Sequence, residues 1–119
     1  MHDTMSCPRF IAESMALRTA AHLAHLTTRS YSVHRTLQDF YDALVPLVDR
    51  YAEAHLGEHG NVTFPTVVPP KGEINEVLLE YLTTIRDELD EESDHKTKET
   101  ILTEIEELVL STLYKLKLK

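Results

Sequence analysis

The chain has 119 residues, enough for one domain with a modest hydrophobic core, and 42% of the residues are hydrophobic. The 20 acidic residues outnumber the 12 Lys and Arg residues. The resulting net charge of -8 argues against a dedicated nucleic-acid binder, because phosphate contacts require cations. With only 3 glycines and 5 prolines, the composition favours an all-α fold over a turn-rich β fold.

Cysteine content and hydropathy indicate the compartment. Cys7 is the single cysteine, so no intrachain disulfide can form, which is typical of a reducing environment. No apolar run approaches the about 18 residues of a membrane span, and the N-terminus has no signal-like core. We therefore expect a cytoplasmic protein without a membrane segment.

Apolar residues recur at helical spacing in four stretches of the chain. Residues 1–119 are therefore expected to form a single all-α domain. Its predicted parts are a flexible arm at 1–8 and helices at 9–28, 31–56, 73–91 and 95–117.

The ends and the middle of the predicted helices carry specific signals. Gly57 and Gly60 are expected to end the second helix, and Asp94 is expected to cap the fourth. Pro46 lies inside the second helix, removes one backbone hydrogen bond and predicts a kink. The alternative is a break at Pro46, which would move Asp49 and Glu53 out of line with the start of the helix.

The segment 57–72 is a long connection between the second and third helices. Fully extended it reaches about 50 Å, whereas the predicted second helix is about 39 Å long. The connection can therefore run the full length of a bundle and leave the third helix parallel to the second. The alternative is a surface loop in an up-down bundle.

Two histidines and two carboxylates have a spacing that predicts a metal site. His34 follows His22 by 12 residues, Asp49 follows His34 by 15, and Glu53 follows Asp49 by 4. A hairpin with its turn near residues 28–30 brings the two histidines level, and one helical turn puts the two carboxylates on one face. Imidazole combined with carboxylate suits iron, or alternatively zinc, better than calcium or magnesium.

One chain cannot bring all four groups together, because His34 and Asp49 lie about 22 Å apart on the same helix. A second copy can supply the missing groups if it packs antiparallel about a twofold axis near Asp42. His34 of one copy then meets Asp49 and Glu53 of the other, and the symmetry creates two such sites. The predicted metal-binding unit is therefore an antiparallel homodimer.

This pattern resembles the inter-subunit ferroxidase centre of the Dps family, the mini-ferritins. The stretch DFYDALVPLVDRYAEAHLG, residues 39–57, is similar to the second helix of that family, and residues 94–97 are similar to the start of its last helix. The chain is also similar in character to small phage-encoded ferritin-like proteins. The resemblance spans residues 10–117 and is strongest over 22–57.

The resemblance implies a ferritin-like four-helix bundle with a long crossover between helices 2 and 3. It also implies a higher homo-oligomer that binds iron(II) and oxidises it, and thus a ferroxidase. Virion association is expected instead of a cytoplasmic location if the chain is phage-encoded.

Two residues depart from the family pattern. Leu23 replaces the usual tryptophan after the first histidine, and Gln38 replaces the usual carboxylate after the second. These departures leave open a non-catalytic helical assembly protein that retains the fold without the chemistry.

Three further residues carry weaker signals for metal binding. His25 lies three residues after His22 and is either an additional metal ligand or a neighbour of the ligands. Glu92 and His95 match the E-x-x-H motif of diiron proteins, but such sites need paired motifs on facing helices.

The remaining polar residues are expected to be structural. We expect His55 and His59 to be exposed to solvent, and Cys7 to be inert because no activating base flanks it. The acidic run 87–94 is expected to be a solvated helix end, or alternatively the lining of a cation pore in an oligomer.

Overall fold

The computed structural model describes residues 5–118, which fold into four helices and contain no strand. The predicted all-α class is therefore confirmed. In chain order the helices are α1 Ser6–Thr27, α2 Tyr31–His59, α3 Ile74–Glu91 and α4 Lys96–Leu116. Among these residues, no helix has the length and apolar character needed to cross a membrane.

The first helix begins before the predicted position. Ser6, Cys7 and Pro8 belong to α1, so this part of the predicted arm is helical, while residues 1–4 lie outside the described residues. Cys7 is buried in the core and Ser6 donates a hydrogen bond to Glu88, and these contacts hold the first turn. Pro8 is compatible with that turn because the first helical amides need no intrahelical acceptor.

Side-chain caps define the starts of the later helices. Ser30 accepts a hydrogen bond from the Val33 amide at the start of α2. At the start of α4 the cap is His95, whose Nδ1 accepts from the Lys98 amide. The prediction of Asp94 as this cap was wrong, because the imidazole one residue later takes the position.

The second helix passes through Pro46 without a break and ends at His59, three residues beyond the predicted Leu56, with Gly60, one of the two predicted glycines, as its cap. Gly60 has φ 78°, a left-handed conformation that glycine adopts without a steric penalty. Leu44 and Val48 are buried on either side of Pro46, whereas Pro46 itself is exposed. Pro46 has no amide proton, so the carbonyl four residues earlier loses its hydrogen-bond partner on the exposed side of the helix. Buried neighbours on the opposite side stabilise the helix.

Contacts at the helix ends give the direction of each helix. The start of α1 meets the end of α3 through Ser6 and Glu88, and the end of α2 meets the start of α4 through His55 and Lys98. The starts of α2 and α3 lie together around one cavity at the other end of the bundle, with α4's Leu116 beside them. Helices α2 and α3 are therefore parallel, and each is antiparallel to both α1 and α4.

The connection over residues 60–73 returns along the bundle, as this topology requires. Its Val67, Val68 and Pro70 share a cavity lining with Leu17 of α1 and Tyr81 of α3. An extended segment of this length reaches about 45 Å, which is sufficient for the return. The predicted long connection is confirmed, and the up-down alternative is wrong.

Three aromatic rings join α1, α2 and α3 in the core. The Phe10 ring lies 5.4 Å from the Tyr51 ring in an edge-on arrangement and 5.9 Å from the Tyr81 ring in a stacked one. Ser14 donates to the Phe10 carbonyl, so the Tyr81 hydroxyl must donate to Ser14. These contacts set the distance from α1 to α2 and the distance from α1 to α3.

Replacing Phe10 by Ala should lower the free energy of unfolding by about 3–5 kcal/mol, because the change leaves a cavity among two other rings. The matched control is Phe64→Ala in the crossover, where the ring is 45% exposed. That change should cost less than about 0.5 kcal/mol. Urea denaturation at one fixed protein concentration measures both variants, and equal losses would contradict this account of the core.

Candidate functional site

The α1–α2 hairpin brings three histidine rings together. The His25 ring stacks on the His34 ring with centroids 3.6 Å apart, and the His22 ring lies 5.8 Å from the His25 ring. His22 and His34 thus each lie against the ring of His25, which is between them. We call His22, His25 and His34 the histidine groove.

Reciprocal hydrogen bonds fix two of these rings. His25 Nδ1 lies 2.7 Å from the His34 carbonyl oxygen, and His34 Nδ1 lies 2.8 Å from the His25 carbonyl oxygen. A carbonyl only accepts, so both Nδ1 atoms carry a proton and donate it. In the neutral rings, the lone pair of each is therefore on Nε2, the state required of a metal ligand.

The histidine groove packs against the aromatic ring of Tyr41. The His22 ring stacks on the Tyr41 ring at 4.5 Å, and the Arg18 guanidinium lies 5.6 Å from the centroid of the same ring. His25 is buried, whereas His22 and His34 are half-buried. His22 and His34 are therefore the members of the groove that a second molecule can reach.

The predicted carboxylates lie elsewhere on the same chain. Asp49 and Glu53 are exposed near the far end of α2, about 22 Å and about 28 Å from His34 along the helix axis. Within residues 5–118 neither carboxylate makes a side-chain hydrogen bond or ion pair, and no group of three His, Cys, Asp or Glu residues could hold a metal ion. The chain by itself thus brings the histidines together and leaves the carboxylates separate.

The carboxylates nevertheless lie on the side of α2 that adjoins the groove. At about 100° per residue, Asp42, Asp49 and Glu53 fall within 40° of one another and within about 100° of His34. Exposed apolar side chains lie near the same surface, including Met15 (37% exposed), Leu26 (64%) and Tyr31 (76%). This surface, spanning the outer sides of α1 and α2, is called the hairpin face.

A second group of polar side chains is buried at the opposite end of the bundle. Lys98 is 1% exposed, and its Nζ donates to His55 Nδ1 at 2.8 Å and lies 3.5 Å from a Glu92 oxygen. Nearby, Glu88 is 4% exposed and accepts from the Tyr51 hydroxyl. These five residues, four from α2, α3 and α4 and the partly buried Glu92 from the cap of α3, are called the buried polar cluster.

Burial changes the proton affinity of this cluster. It raises the pKa of Glu88, although hydrogen bonds from Ser6 and Tyr51 act in the opposite direction. It lowers the pKa of His55, and the Lys98 ammonium lowers it further. Cys7, next to the cluster, has a pKa raised to about 12 by burial, so its thiol stays protonated and unreactive at neutral pH.

The prediction of an exposed His55 was wrong, because this side chain is only 8% exposed. The sequence does carry a signal for the buried polar cluster. Lys98, Ile101, Leu102 and Ile105 follow the i, i+3, i+4, i+7 spacing of the buried stripe of α4. A lysine at such a position needs polar partners, which a search for metal-ligand spacing does not reveal.

The E-x-x-H pair does not form a site. Glu92 turns towards Lys98, whereas His95 Nε2 lies 3.0 Å from Glu58. The acidic run at the end of α3 borders an open cleft of about 810 Å³ together with Arg9.

Replacing Lys98 by Met should lower the free energy of unfolding by about 3 kcal/mol, because Glu92 and Glu88 would lose the buried cation near them. The matched control is Lys96→Met, two residues earlier in the same helix and exposed. The control should change stability by less than about 0.5 kcal/mol. Chemical denaturation distinguishes the two, and an equal effect would show that the cluster does not stabilise the fold.

Stability should fall as the pH drops through the ordinary range of histidine, near 6.5. The pKa of His55 is lower in the folded chain than in the unfolded chain. As the pH falls, the unfolded chain therefore binds a proton on this residue before the folded chain does. Glu88 acts in the opposite sense, because a raised pKa adds relative stability on the acid side. The contribution of His55 is therefore measured as the difference between the parent chain and His55→Gln.

The expected result is a shallower loss of unfolding free energy between about pH 7.5 and 5.5 in His55→Gln than in the parent chain. His59→Gln, at the exposed end of α2, is the control and should retain most of the loss. Parallel curves for the parent chain and His55→Gln would contradict the assignment.

Comparison with known proteins places the chain in a family. Residues 25–116 match the profile of DUF5856, a family of unknown function, and this span includes His25, His34, Asp49 and Glu53 but not His22. The chain has no significant match among curated proteins, and none among solved structures. Because the matched span covers most of its length, the chain belongs to the DUF5856 family.

Proposed function

We propose that this protein is a ferritin-like, mini-ferritin-type protein that binds and oxidises iron(II) at a site shared between two copies. In each site, His22 and His34 come from one copy, and Asp49 and Glu53 come from the other. Iron(II) is the substrate, with zinc as the alternative metal, and each iron(II) gives one electron to dioxygen or peroxide. The working unit is an antiparallel homodimer, which we propose assembles further.

The observation that carries the proposal is the histidine groove. Helix α1 and helix α2 meet so that His22 and His34 flank one groove, and the carbonyl of His25 leaves His34 Nε2 as the free nitrogen. His34 is half-buried, so it combines a fixed ring with access from outside. This donor set fits iron or zinc, which accept imidazole and carboxylate together.

His25 acts as the support of the site in this proposal. Its ring stacks on His34, and the nearly parallel planes, 21° apart, prevent both in-plane lone pairs from meeting at one ion. His25 is also buried, with 6% of its surface exposed. Its role is to hold the His34 ring in position, as residues behind the ligands of metal sites commonly do.

The carboxylates support the second half of the site. Asp49 and Glu53 are exposed, one turn apart, and without a side-chain ion pair in the described part of the chain. A twofold axis near Asp42 would bring them to the partner's His34, because Asp42 is about midway between positions 34 and 49. The exposed apolar side chains of the hairpin face would be covered by the same contact.

The fold is consistent with this assignment. Parallel α2 and α3 joined by a long connection is the topology of ferritin-like bundles with one crossover. The bundle interior, where many ferritin-like proteins hold metal, contains the Lys98 ammonium instead. Cation repulsion disfavours a metal there, so we place the chemistry at the interface between copies.

Mixing two inactive variants tests the shared site. His34→Ala removes the imidazole from both sites of a dimer, and Glu53→Ala removes a carboxylate from both. A mixed dimer has one site with both changes and one site with neither. After unfolding and refolding the two variants together, about a quarter of the parent iron(II) oxidation should return, since half the dimers are mixed.

The control is the double variant His34→Ala with Glu53→Ala, refolded with His34→Ala, which cannot regenerate an intact site. Iron(II) binding without oxygen and the rate of iron(III) formation in air are both measured. Full activity in either single variant, or no recovery in the mixture despite dimer formation, would reject the shared site.

The alternative function is a non-catalytic helical assembly protein, virion-associated if the chain is phage-encoded, that retains this fold. The observation that favours it is Gln38, an amide where the mini-ferritin pattern has a further carboxylate, half-buried in the structure. One fewer anionic ligand weakens the binding of iron. A dimer that forms normally and shows no iron(II) binding, with no change on His34→Ala, would select this alternative.

A further inference from the structure

Helix α4 carries a row of exposed side chains that no other helix covers. Thr103, Glu107, Leu110, Tyr114 and Lys117 are exposed and spaced by 4, 3, 4 and 3 residues, the spacing of a coiled-coil seam. Leu110 is 44% exposed and Tyr114 is 61% exposed. We call this row the α4 seam.

Helix α3 extends the apolar centre of the seam. The ion pair between Arg86 and Glu106 sets the antiparallel register of α3 and α4. In that register Leu79, which is 53% exposed, lies about level with position 113, within about one helical turn of Leu110 along the bundle. An apolar patch of this kind, flanked by charged residues, is typical of a contact with another protein.

We propose that the α4 seam binds the α4 seam of a second copy in an antiparallel arrangement. The twofold axis crosses the helix at the height of position 112. The order of the side chains is self-complementary about that point. Position 112 is midway between Leu110 and Tyr114, and it is also midway between Glu107 and Lys117. One axis therefore pairs leucine with tyrosine and carboxylate with ammonium, as an isologous contact requires.

The charges support a second copy as the partner. Glu107 and Lys117 are exposed, and neither has a side-chain ion pair in the described residues. Within one chain they lie about 15 Å apart along the helix, too far to pair with each other. Across the axis each faces the opposite charge, so both pairs form only between copies.

This contact is separate from the hairpin face. Helix α4 contacts α2 and α3 and lies diagonally across the bundle from α1. A protein with two different twofold faces can build assemblies larger than a dimer, whereas one such face stops at two subunits. The inference does not depend on the proposed iron chemistry, because none of its residues belongs to the histidine groove.

Zero-length carbodiimide cross-linking with peptide mass spectrometry tests the proposal on the full chain. The expected product joins Glu107 to Lys117, and the distance within one helix requires that it joins two copies. Mixing isotopically labelled and unlabelled chains should place about half of these links between the two kinds of chain. Absence of the Glu107–Lys117 product, or a product confined to single chains, would overturn the proposal.

Charge reversal supplies the second test. Glu107→Lys gives a chain with cations at both positions, and Lys117→Glu gives a chain with carboxylates at both, so neither alone can form the 107–117 link. A mixture of the two variants should restore the link to at least about half of the parent level. Both variants change exposed side chains, so circular dichroism should show an unchanged fold. No link in the mixture of folded variants would overturn the proposal.

Discussion

The continuity of α2 determines what one copy of this protein can do. The helix runs as a single element from Tyr31 to His59, and buried side chains on both sides of Pro46 hold it together. A rigid helix fixes His34 and Asp49 about 22 Å apart, whatever the rest of the chain does. Any site that uses both residues must therefore be completed by another molecule.

The rest of the bundle supports this helix at its two ends in different ways. At one end the α1–α2 turn brings His25 and His34 into reciprocal hydrogen bonds that leave ring nitrogens facing the groove. At the other end Lys98 enters the core and binds His55 from α2 and Glu92 from the end of α3. At the first end the lone pairs of half-buried imidazoles are available to a metal, whereas at the second a buried ammonium already pairs with the polar groups around it. This contrast is the reason for placing the chemistry on the hairpin face.

The features that the sequence predicted are those set by local spacing. The four helices follow from apolar periodicity, and the turn predicted near residues 28–30 produces the α1–α2 hairpin that carries His22 and His34. The length of the crossover predicted parallel α2 and α3, because only a long segment can return along the bundle. The iron chemistry and the pairing of copies remain predictions.

The features that the sequence did not reveal depend on packing between distant parts of the chain. His55 was expected in solvent, yet α4 approaches it through Lys98, 43 residues later. His95 displaced Asp94 as a cap while also contacting Glu58 on another helix. For His25 the sequence left open a ligand or a neighbour of the ligands, and its position between the other two rings depends on how closely α1 and α2 approach. None of these contacts is encoded by the spacing of neighbouring residues.

In the proposed shared site a metal ion lies between two copies of the chain. Diffraction data collected at the iron absorption edge, from crystals grown with iron, locate that ion without reference to activity. We expect an anomalous peak within about 2.5 Å of His34 of one copy and of the partner's Glu53, at two positions related by a twofold axis. Copies that leave His34 remote from every Glu53, or iron bound only elsewhere, would contradict it.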